Sequence, residues 1–437
     1  MDGMSEIHER QRTLDLALRV GEMLLSNGAG AADVTATMSS ITHHLGLRQT
    51  LVDVTFTTLT LSHQASIDEP VLALTRHVTH RETDFADLTA VDDVVSQLLA
   101  DEMTREDAAT EMARIASSGH PRKRWAITAG SGLTGAGVAL LLGGDWIVLL
   151  IAAVAGSCIE ILQRKMARMR LPFFYAQVAG GVLATTFAVV LRALDVPVDP
   201  SIVVTASIIM LLAGQGFIGA IQDALTGFYI TANARILEVM IATAGIIVGV
   251  AAGLSIGGAL GVDVQIVPGA SGLSDLPTIT AGAAITAGSF AFTAYSPKRV
   301  VLPIALLAAL AAGVYFVPLQ HGVGRAAAAG LAAIVIGLIS YWVAGWVKVP
   351  PLVVITACII PLLPGLSIYR ALSLLADDDV TGIIALMTAA AVALALSAGA
   401  ILGEYVAQPL RRESRKLEQR LAGPRLVGPL RARARRR

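Results

Sequence analysis

The sequence predicts an α-helical polytopic membrane protein, with ten transmembrane helices in two inverted five-helix repeats behind an N-terminal cytoplasmic α+β domain. Three observations carry this expectation. The 437 residues are 54% hydrophobic, above the roughly 45–50% of an ordinary soluble chain, and the mean hydropathy is +0.67. Polarity is segregated: residues 1–124 hold 19 of the 33 acids and seven of the eight histidines, whereas residues 411–437 hold 11 Lys/Arg and two acids. Finally, the decapeptide Thr205-Ala206-Ser207-Ile208-Ile209-Met210-Leu211-Leu212-Ala213-Gly214 recurs as Thr356-Ala357-Cys358-Ile359-Ile360-Pro361-Leu362-Leu363-Pro364-Gly365, seven of ten positions identical at an offset of 151 residues.

The head, residues 1–124, reads as follows. Residues 11–27 form an amphipathic helix with Leu14, Leu18 and Leu25 near one face. Asn27-Gly28-Ala29-Gly30 stops it as an interhelix turn, and a second helix runs from about Ala31 to Leu45. Leu51 to Thr57 alternates and is rich in β-branched residues, as a strand requires. A second strand is expected over Val71–Val78, then helices near 86–101 and 104–117. About 120 residues suffice for a separate core. Residues 1–13 are polar and no signal-peptide apolar region follows, so the head is expected on the cytoplasmic side.

Gly119-His120-Pro121 breaks the chain, and Arg122-Lys123-Arg124 marks the membrane entry. Apolar spans fall near 126–142, 146–163, 174–192, 201–225, 235–257, 276–295, 300–317, 325–346, 351–375 and 380–407. A bilayer core takes about 20 helical residues, so ten crossings are expected. Loop charge sets their sense. With the head inside, Arg164, Lys165, Arg168, Arg170, Lys298, Arg299, Lys348 and the basic tail also lie inside, while Asp145, Asp195, Asp199, Asp263, Asp275 and Asp377-Asp378-Asp379 lie outside. Both termini are then cytoplasmic. Shifting the first five spans by 151 residues lays them on the second five. Because five is odd, the halves (residues 125–258 and 274–410) must cross in opposite senses, the arrangement of many secondary transporters.

The candidate site lies where the repeated decapeptides end. Gly214 stands 13 residues into its span and Gly365 stands 14 into its own, which at about 1.5 Å per residue places both near mid-bilayer. Pro361 and Pro364 remove backbone donors, and Gly214-Gln215-Gly216 sets two glycines around an amide. Backbone freed here must find protein, water or ligand partners, because lipid offers none. A zwitterionic amino acid matches such breaks, its carboxylate at helix N-termini and its ammonium at exposed carbonyls. Substrate-binding candidates are therefore Gly214, Gln215, Pro364 and Gly365, with Tyr369 and Arg370 toward the outer end of the ninth span. Ionisable residues within or beside spans are functional candidates: Asp223, Glu160 and Glu238 are the expected proton carriers.

Other chemistries lack support in the residues. Cys158 and Cys358 both lie in apolar spans, so neither a disulfide framework nor a cysteine metal site is expected. His77 and His80, like the adjacent His43 and His44, do not make a three- or four-ligand zinc set. Neither a nucleophile elbow nor a Walker A loop is present, so no catalytic residue and no cofactor is expected, and a gradient must drive transport. The tail, residues 411–437, should meet anionic lipid head groups, not nucleic acid. A homo-oligomer is compatible with the chain.

The chain resembles the bacterial threonine/serine exporters. The resemblance is carried in the head by Leu16-Ala17-Leu18-Arg19-Val20-Gly21-Glu22-Met23-Leu24-Leu25-Ser26-Asn27-Gly28-Ala29-Gly30. In the first half it rests on Ala220-Ile221-Gln222-Asp223-Ala224-Leu225-Thr226-Gly227 and Ala234-Arg235-Ile236-Leu237-Glu238, and in the second on Pro361 to Arg370. It implies export of L-threonine and L-serine from the cytoplasmic membrane, driven by the proton-motive force. Some relatives carry the halves as separate chains. The family pattern commonly has Pro before the Gly of the fourth span, where this chain has Ala213. The competing expectations are a membrane-anchored hydrolase acting through the head, and a transporter or channel for another small solute.

Overall fold

The computed structural model describes residues 2–79, 83–119, 122–196, 200–211, 214–262, 275–364, 367–368, 371, 374 and 379–410. Contacts divide the chain into two units, one built on the residues up to Ser118 with Gln222–Ala232, the other on Gly119–Ile221 and Asn233–Ala407.

The first unit opens with α1 (Asp2–Ser26) and α2 (Ala31–His44). The first helix starts earlier than the apolar periodicity suggests, because Glu6-Arg10 and Glu9-Arg12 pairs extend its polar N-terminal part. Three antiparallel strands follow in sheet order, β1 (Thr50–Val54), β2 (Thr58–His63) and β3 (Leu72–His77). The middle strand is not foreseen by the sequence pattern. It follows β1 after only Thr55-Phe56-Thr57, without Gly, Pro or Asn to mark the turn, which closes through Thr55 N–H donating to Thr58 O at 2.9 Å. Leu59 and Leu61 alternate inward from it. Helices α3 (Phe85–Leu99) and α4 (Arg105–Ser117) complete the layer, started by the Asp84 and Thr104 side chains, which accept from first-turn backbone N–H groups. The core joins Leu14, Leu18, Met38, Ile41, Phe85 and Met112, all essentially inaccessible.

Arg105 ties α4 back to α1 through Glu9, at 2.6 Å, and also pairs with Glu106. These hydrogen bonds hold both carboxyls below the usual carboxylate range. A depressed acid contributes stability that is present above its unfolded value, about 4.3 for glutamate, and lost as pH falls through the folded one. Both carboxyls are exposed, so the contribution is small. Arg105→Gln is expected to reduce α1 and α4 amide-exchange protection at pH 7, and the difference from the parent should shrink below about pH 4.

The second unit is helical: α5 (Arg124–Leu141), α6 (Trp146–Arg168), α7 (Phe173–Ala193), α8 (Pro200–Leu211), α9 (Gly214–Leu225), α10 (Tyr229–Ala259), α11 (Leu276–Thr293), α12 (Lys298–Gln320), α13 (Arg325–Val347), α14 (Pro351–Ile359) and α15 (Thr381–Leu410). The ends of α9 and α10 near residues 222–232 belong to the first unit. Among the described residues six helices are long and apolar enough to cross a membrane: α6, α7, α10, α12, α13 and α15. Three of the other four expected spans differ for identifiable reasons. The 18-residue helices α5 and α11 are diluted by Gly, Ser and Thr. Of the fourth span, α8 and α9, 12 residues each, are described, and residues 212–213 between them lie outside the described residues. In the ninth, α14 ends at Ile359 and tightens into a 3-10 turn over Ile360–Leu362, where Pro361 cannot donate.

The surface is inverted relative to a water-soluble fold. Leu302, Leu306 and Leu310 form an exposed apolar ridge on α12, a face suited to lipid. All four tryptophans, Trp125, Trp146, Trp342 and Trp346, are exposed and lie near helix ends, as in the interfacial belts of membrane proteins.

Small residues set the interior packing. A methyl on Gly137 would lie 2.7 Å from Thr286 Oγ1, one on Gly130 2.7 Å from Thr293 Cγ2, and one on Gly282 2.6 Å from the Leu141 nitrogen. Thr134 donates to Ser289 Oγ at 2.9 Å in the same seam. Each step forward along α5 is a step back along α11, so the two helices are antiparallel and nearly in backbone contact. Two further glycine crossings join α7 to α10, at Gly181 and Gly249, and α13 to α15, at Gly337 and Gly403.

Candidate functional site

The described first part of the fourth span runs through the interior. This part, α8, buries Val204, Ile208 and Leu211 in a cluster with Ile159 of α6, Ala184 and Ala188 of α7, and Ile246 and Val250 of α10. Residues 212–213 lie outside the described part, and the description resumes with α9 at Gly214. Gln215 lies in α9, with its side chain outside the description. Gly219 of α9 faces the Arg235 guanidinium of α10 so closely that a methyl there would fall 2.4 Å from Nη1. Arg235 itself is 8% exposed, an internal cation of the membrane unit. Ser397 of α15 donates to Ile218 O at 3.5 Å, so the last helix packs on the second described part of the span.

In the ninth span, Pro364 is buried just after the 3-10 turn, and its carbonyl accepts from Ile368 N–H at 3.0 Å. Gly365, Tyr369 and Arg370 lie outside the described residues, as does the tail from 411 onward.

The three candidate proton carriers differ sharply in setting. Asp223 is 1% exposed. Its Oδ1 accepts the Ala31 N–H at 3.0 Å, across 192 residues of sequence. The N-cap of α2 is Gly30, which has no side chain to offer, so Asp223 supplies the capping anion at the positive end of that helix. A methyl on Gly30 would stand 3.6 Å from the same oxygen. The Asn27-Gly28-Ala29-Gly30 turn is thus the seat of a carboxylate from the α9 end. Glu160 of α6 is half-buried and accepts from Thr128 Oγ1 at 2.7 Å, with Arg164 at 3.2 Å. Glu238 of α10 is exposed.

Just before the start of α5, Arg122 donates to the Phe292 and Ser296 carbonyls and stacks on the Phe292 ring, 4.4 Å from its centroid. A cation on the last carbonyls of α11 opposes that helix's negative end.

The head contains a polar cleft of about 440 Å³, lined among others by Glu9, Arg10, Thr13, Arg48, His63 and Arg105. Its Thr13 hydroxyl donates to Glu9 O and His63 Nδ1 meets Gln49 O, so neither is set against the other as nucleophile and base. Among the described residues no group of three or more His, Cys, Asp or Glu converges as a metal site.

Sequence reasoning finds Asp223 but not its partner on α2, and it passes over Gln177. This α7 residue is 3% exposed, and its Oε1 has no hydrogen-bond partner among the described residues. The available signal is a lone amide in an Ala- and Gly-rich span.

Apolar outward faces, helices packed through glycine and a buried helix interrupted at Pro361 define a polytopic α-helical membrane protein of the transporter class. A family model described as "Putative threonine/serine exporter" matches residues 15–257, and a second, "Threonine/Serine exporter, ThrE", matches residues 280–406. Among similar proteins, the "Probable threonine/serine exporter" of Mycobacterium tuberculosis (strain ATCC 25618 / H37Rv) is 36% identical over 435 residues, covering 97% of this chain and 82% of the relative. The "Threonine/serine exporter" of Corynebacterium glutamicum is 32% identical over 415 residues, covering 92% and 84%. No solved structure matches the chain. The chain belongs to the threonine/serine exporter family and is a transporter, not an enzyme.

Proposed function

We propose that the protein exports small neutral amino acids, L-threonine and L-serine, across the bacterial cytoplasmic membrane, driven by the proton-motive force. The observation that carries the substrate is the match along nearly the whole chain to relatives named for threonine and serine export. The ninth span adds a reason to look for the site there: α14 ends at Ile359 and tightens into a 3-10 turn at Pro361.

An inverted repeat is supported by how α5 meets α11. Ile127-Thr128-Ala129-Gly130 recurs as Ile279-Thr280-Ala281-Gly282. Under that shift the Gly130–Thr293 contact becomes Gly282–Leu141, and Thr134–Ser289 becomes Gly137–Thr286, all four being present. Contacts that exchange in this way mark a self-complementary two-fold interface. The long apolar helices also fall on equivalent spans of each half, second, third and fifth.

In this reading the ten spans place both termini in the cytoplasm, residues 1–124 form the cytoplasmic domain and the tail meets anionic lipid. Substrate sits between Gly214-Gln215 and Pro364-Gly365, with Tyr369 and Arg370 on the outer side. One repeat rocks against the other. Asp223 is the first proton carrier, since it is buried and its Oδ1 is tied to a helix N-terminus that its protonation would loosen. Glu160 shares its carboxylate with Arg164, and Glu238 is exposed. Glu160→Gln is accordingly expected to slow export less than Asp223→Asn does.

The test is efflux of labelled threonine from preloaded vesicles under an imposed pH gradient. Gradient-accelerated, saturable efflux, competed by serine, is expected. Efflux indifferent to the gradient contradicts the coupling, and efflux of unrelated solutes at equal rates contradicts the substrate.

A further inference from the structure

We infer that the corner between α6 and α7 binds the phosphate head group of an anionic phospholipid. The membrane unit contains its own comparison for this corner, the turn between α12 and α13.

The two corners share one backbone design. Helices α6 and α12 are both 23 residues long. After α6, the Arg170 N–H donates to Ala167 O at 3.0 Å and the Leu171 N–H donates to Met166 O at 3.3 Å. After α12, the Gly322 N–H donates to Leu319 O at 3.1 Å and the Val323 N–H donates to Pro318 O at 3.0 Å. Paired bonds of this kind close a helix through a left-handed residue just beyond the cap. Arg170 and Gly322 hold that position, with φ of 53° and 81°.

Their side chains differ. Arg164, Lys165, Arg168 and Arg170 of the first corner stand where the second has Phe316, Val317, Gln320 and Gly322. Arg164 is engaged by Glu160 at 3.2 Å. Lys165, Arg168 and Arg170 are exposed, and none of the three has an acidic partner among the described residues. The sequence has no Asp or Glu between Glu160 and Asp195. Last-turn cations offset the negative end of a helix, which accounts for Lys165 and Arg168 but not for Arg170, which lies beyond α6. Glycine takes a left-handed conformation without a side-chain clash, and arginine does not. The first corner thus keeps a cation where its backbone favours glycine.

The same corner has an apolar rim. Met169, Leu171, Phe173 and Tyr175 are all exposed. Free cations beside exposed aliphatic and aromatic side chains, at the end of a helix able to cross a membrane, suit a ligand charged at one end and apolar at the other. A free phosphate would engage the cations and leave the rim in water, whereas a phospholipid engages both. The assignment is independent of where the amino acid binds and of the direction in which α6 crosses.

A corner that acted only as an insertion signal would set orientation and leave the folded protein without a lipid preference. The experiment therefore uses the folded, full-length protein in nanodiscs of phosphatidylcholine, with or without phosphatidylglycerol. Thermal unfolding and the phosphatidylglycerol retained in native mass spectrometry are measured for the parent, Arg170→Gly, the double variant Lys165→Gln/Arg168→Gln, and Arg192→Gln. Arg192 is an exposed cation at the other end of α7, paired with Asp195, and serves as the control for net charge. Phosphatidylglycerol is expected to raise the unfolding temperature of the parent, as a ligand of the folded state does. Each cation removed from the corner should weaken retention about fivefold, so Arg170→Gly loses about fivefold and the double variant about 25-fold. Arg192→Gln should keep the parental response. In phosphatidylcholine alone Arg170→Gly should unfold no lower than the parent, because glycine accepts this φ. Parental retention in both corner variants, or an equal loss in Arg192→Gln, overturns the site. If Arg170→Gly is less stable in phosphatidylcholine, the double variant decides, and parental retention there overturns the proposal. Inorganic phosphate is the remaining probe: protection equal to that of phosphatidylglycerol overturns the assignment to a lipid.

Discussion

Asp223→Asn is expected to fold and to lose gradient-driven export by tenfold or more. Asparagine keeps a side-chain oxygen of the same reach, so the Ala31 N–H bond made by Asp223 Oδ1 survives. The charge and the capacity to take a proton are removed, and an NH2 donor replaces Oδ2. Asp223→Ala removes the bond as well, and a lost helix cap costs about 0.5–2 kcal/mol, so amide exchange at the start of α2 should rise in Ala but not in Asn. Efflux in vesicles with and without a pH gradient provides the readout. A parental rate that still follows the gradient in Asp223→Asn contradicts the coupling role.

Gly249→Val is expected to prevent stable assembly of the membrane unit. A first side-chain carbon at Gly249 would lie 2.2 Å from the Val178 carbonyl oxygen and 3.1 Å from Gly181 Cα. Both are backbone atoms, which cannot turn aside as a side-chain tip can. Overpacking of an interior typically costs about 1–3 kcal/mol and more where nothing can relax, and two helices held at backbone contact are such a case. Gly403→Val should behave alike, since its carbon would stand 2.4 Å from Ile334 O. Gly322→Ala is a suitable contrast, because nothing lies within 4 Å of it and its cost is confined to a positive φ of 81°. Thermal unfolding of the detergent-solubilised protein should place both valine variants well below this third one. Equal stability of all three contradicts the packing account.

Much of the fold is visible in the residues because the bilayer imposes length and apolarity together. The long helices α6, α7, α10, α12, α13 and α15 all lie on expected spans. The elements that escape are those where tertiary contact overrides the pattern. Helices α5 and α11 stand where spans are expected, at 126–142 and 276–295, but fall outside the six long apolar helices because their Gly, Ser and Thr face each other. Strand β2 is hidden because its turn contains only Thr and Phe. The site is legible in part: Pro361 does interrupt the ninth span where its missing donor requires. The bond from Asp223 to Ala31 is not, because no periodicity links residues 192 apart.

A structure determined with L-threonine bound tests the central claim most directly. The account predicts the amino acid in the interior between Gly214 and the turn at Pro364. Threonine bound in the head's polar cleft alone, or anywhere away from Gly214 and Pro364, contradicts it.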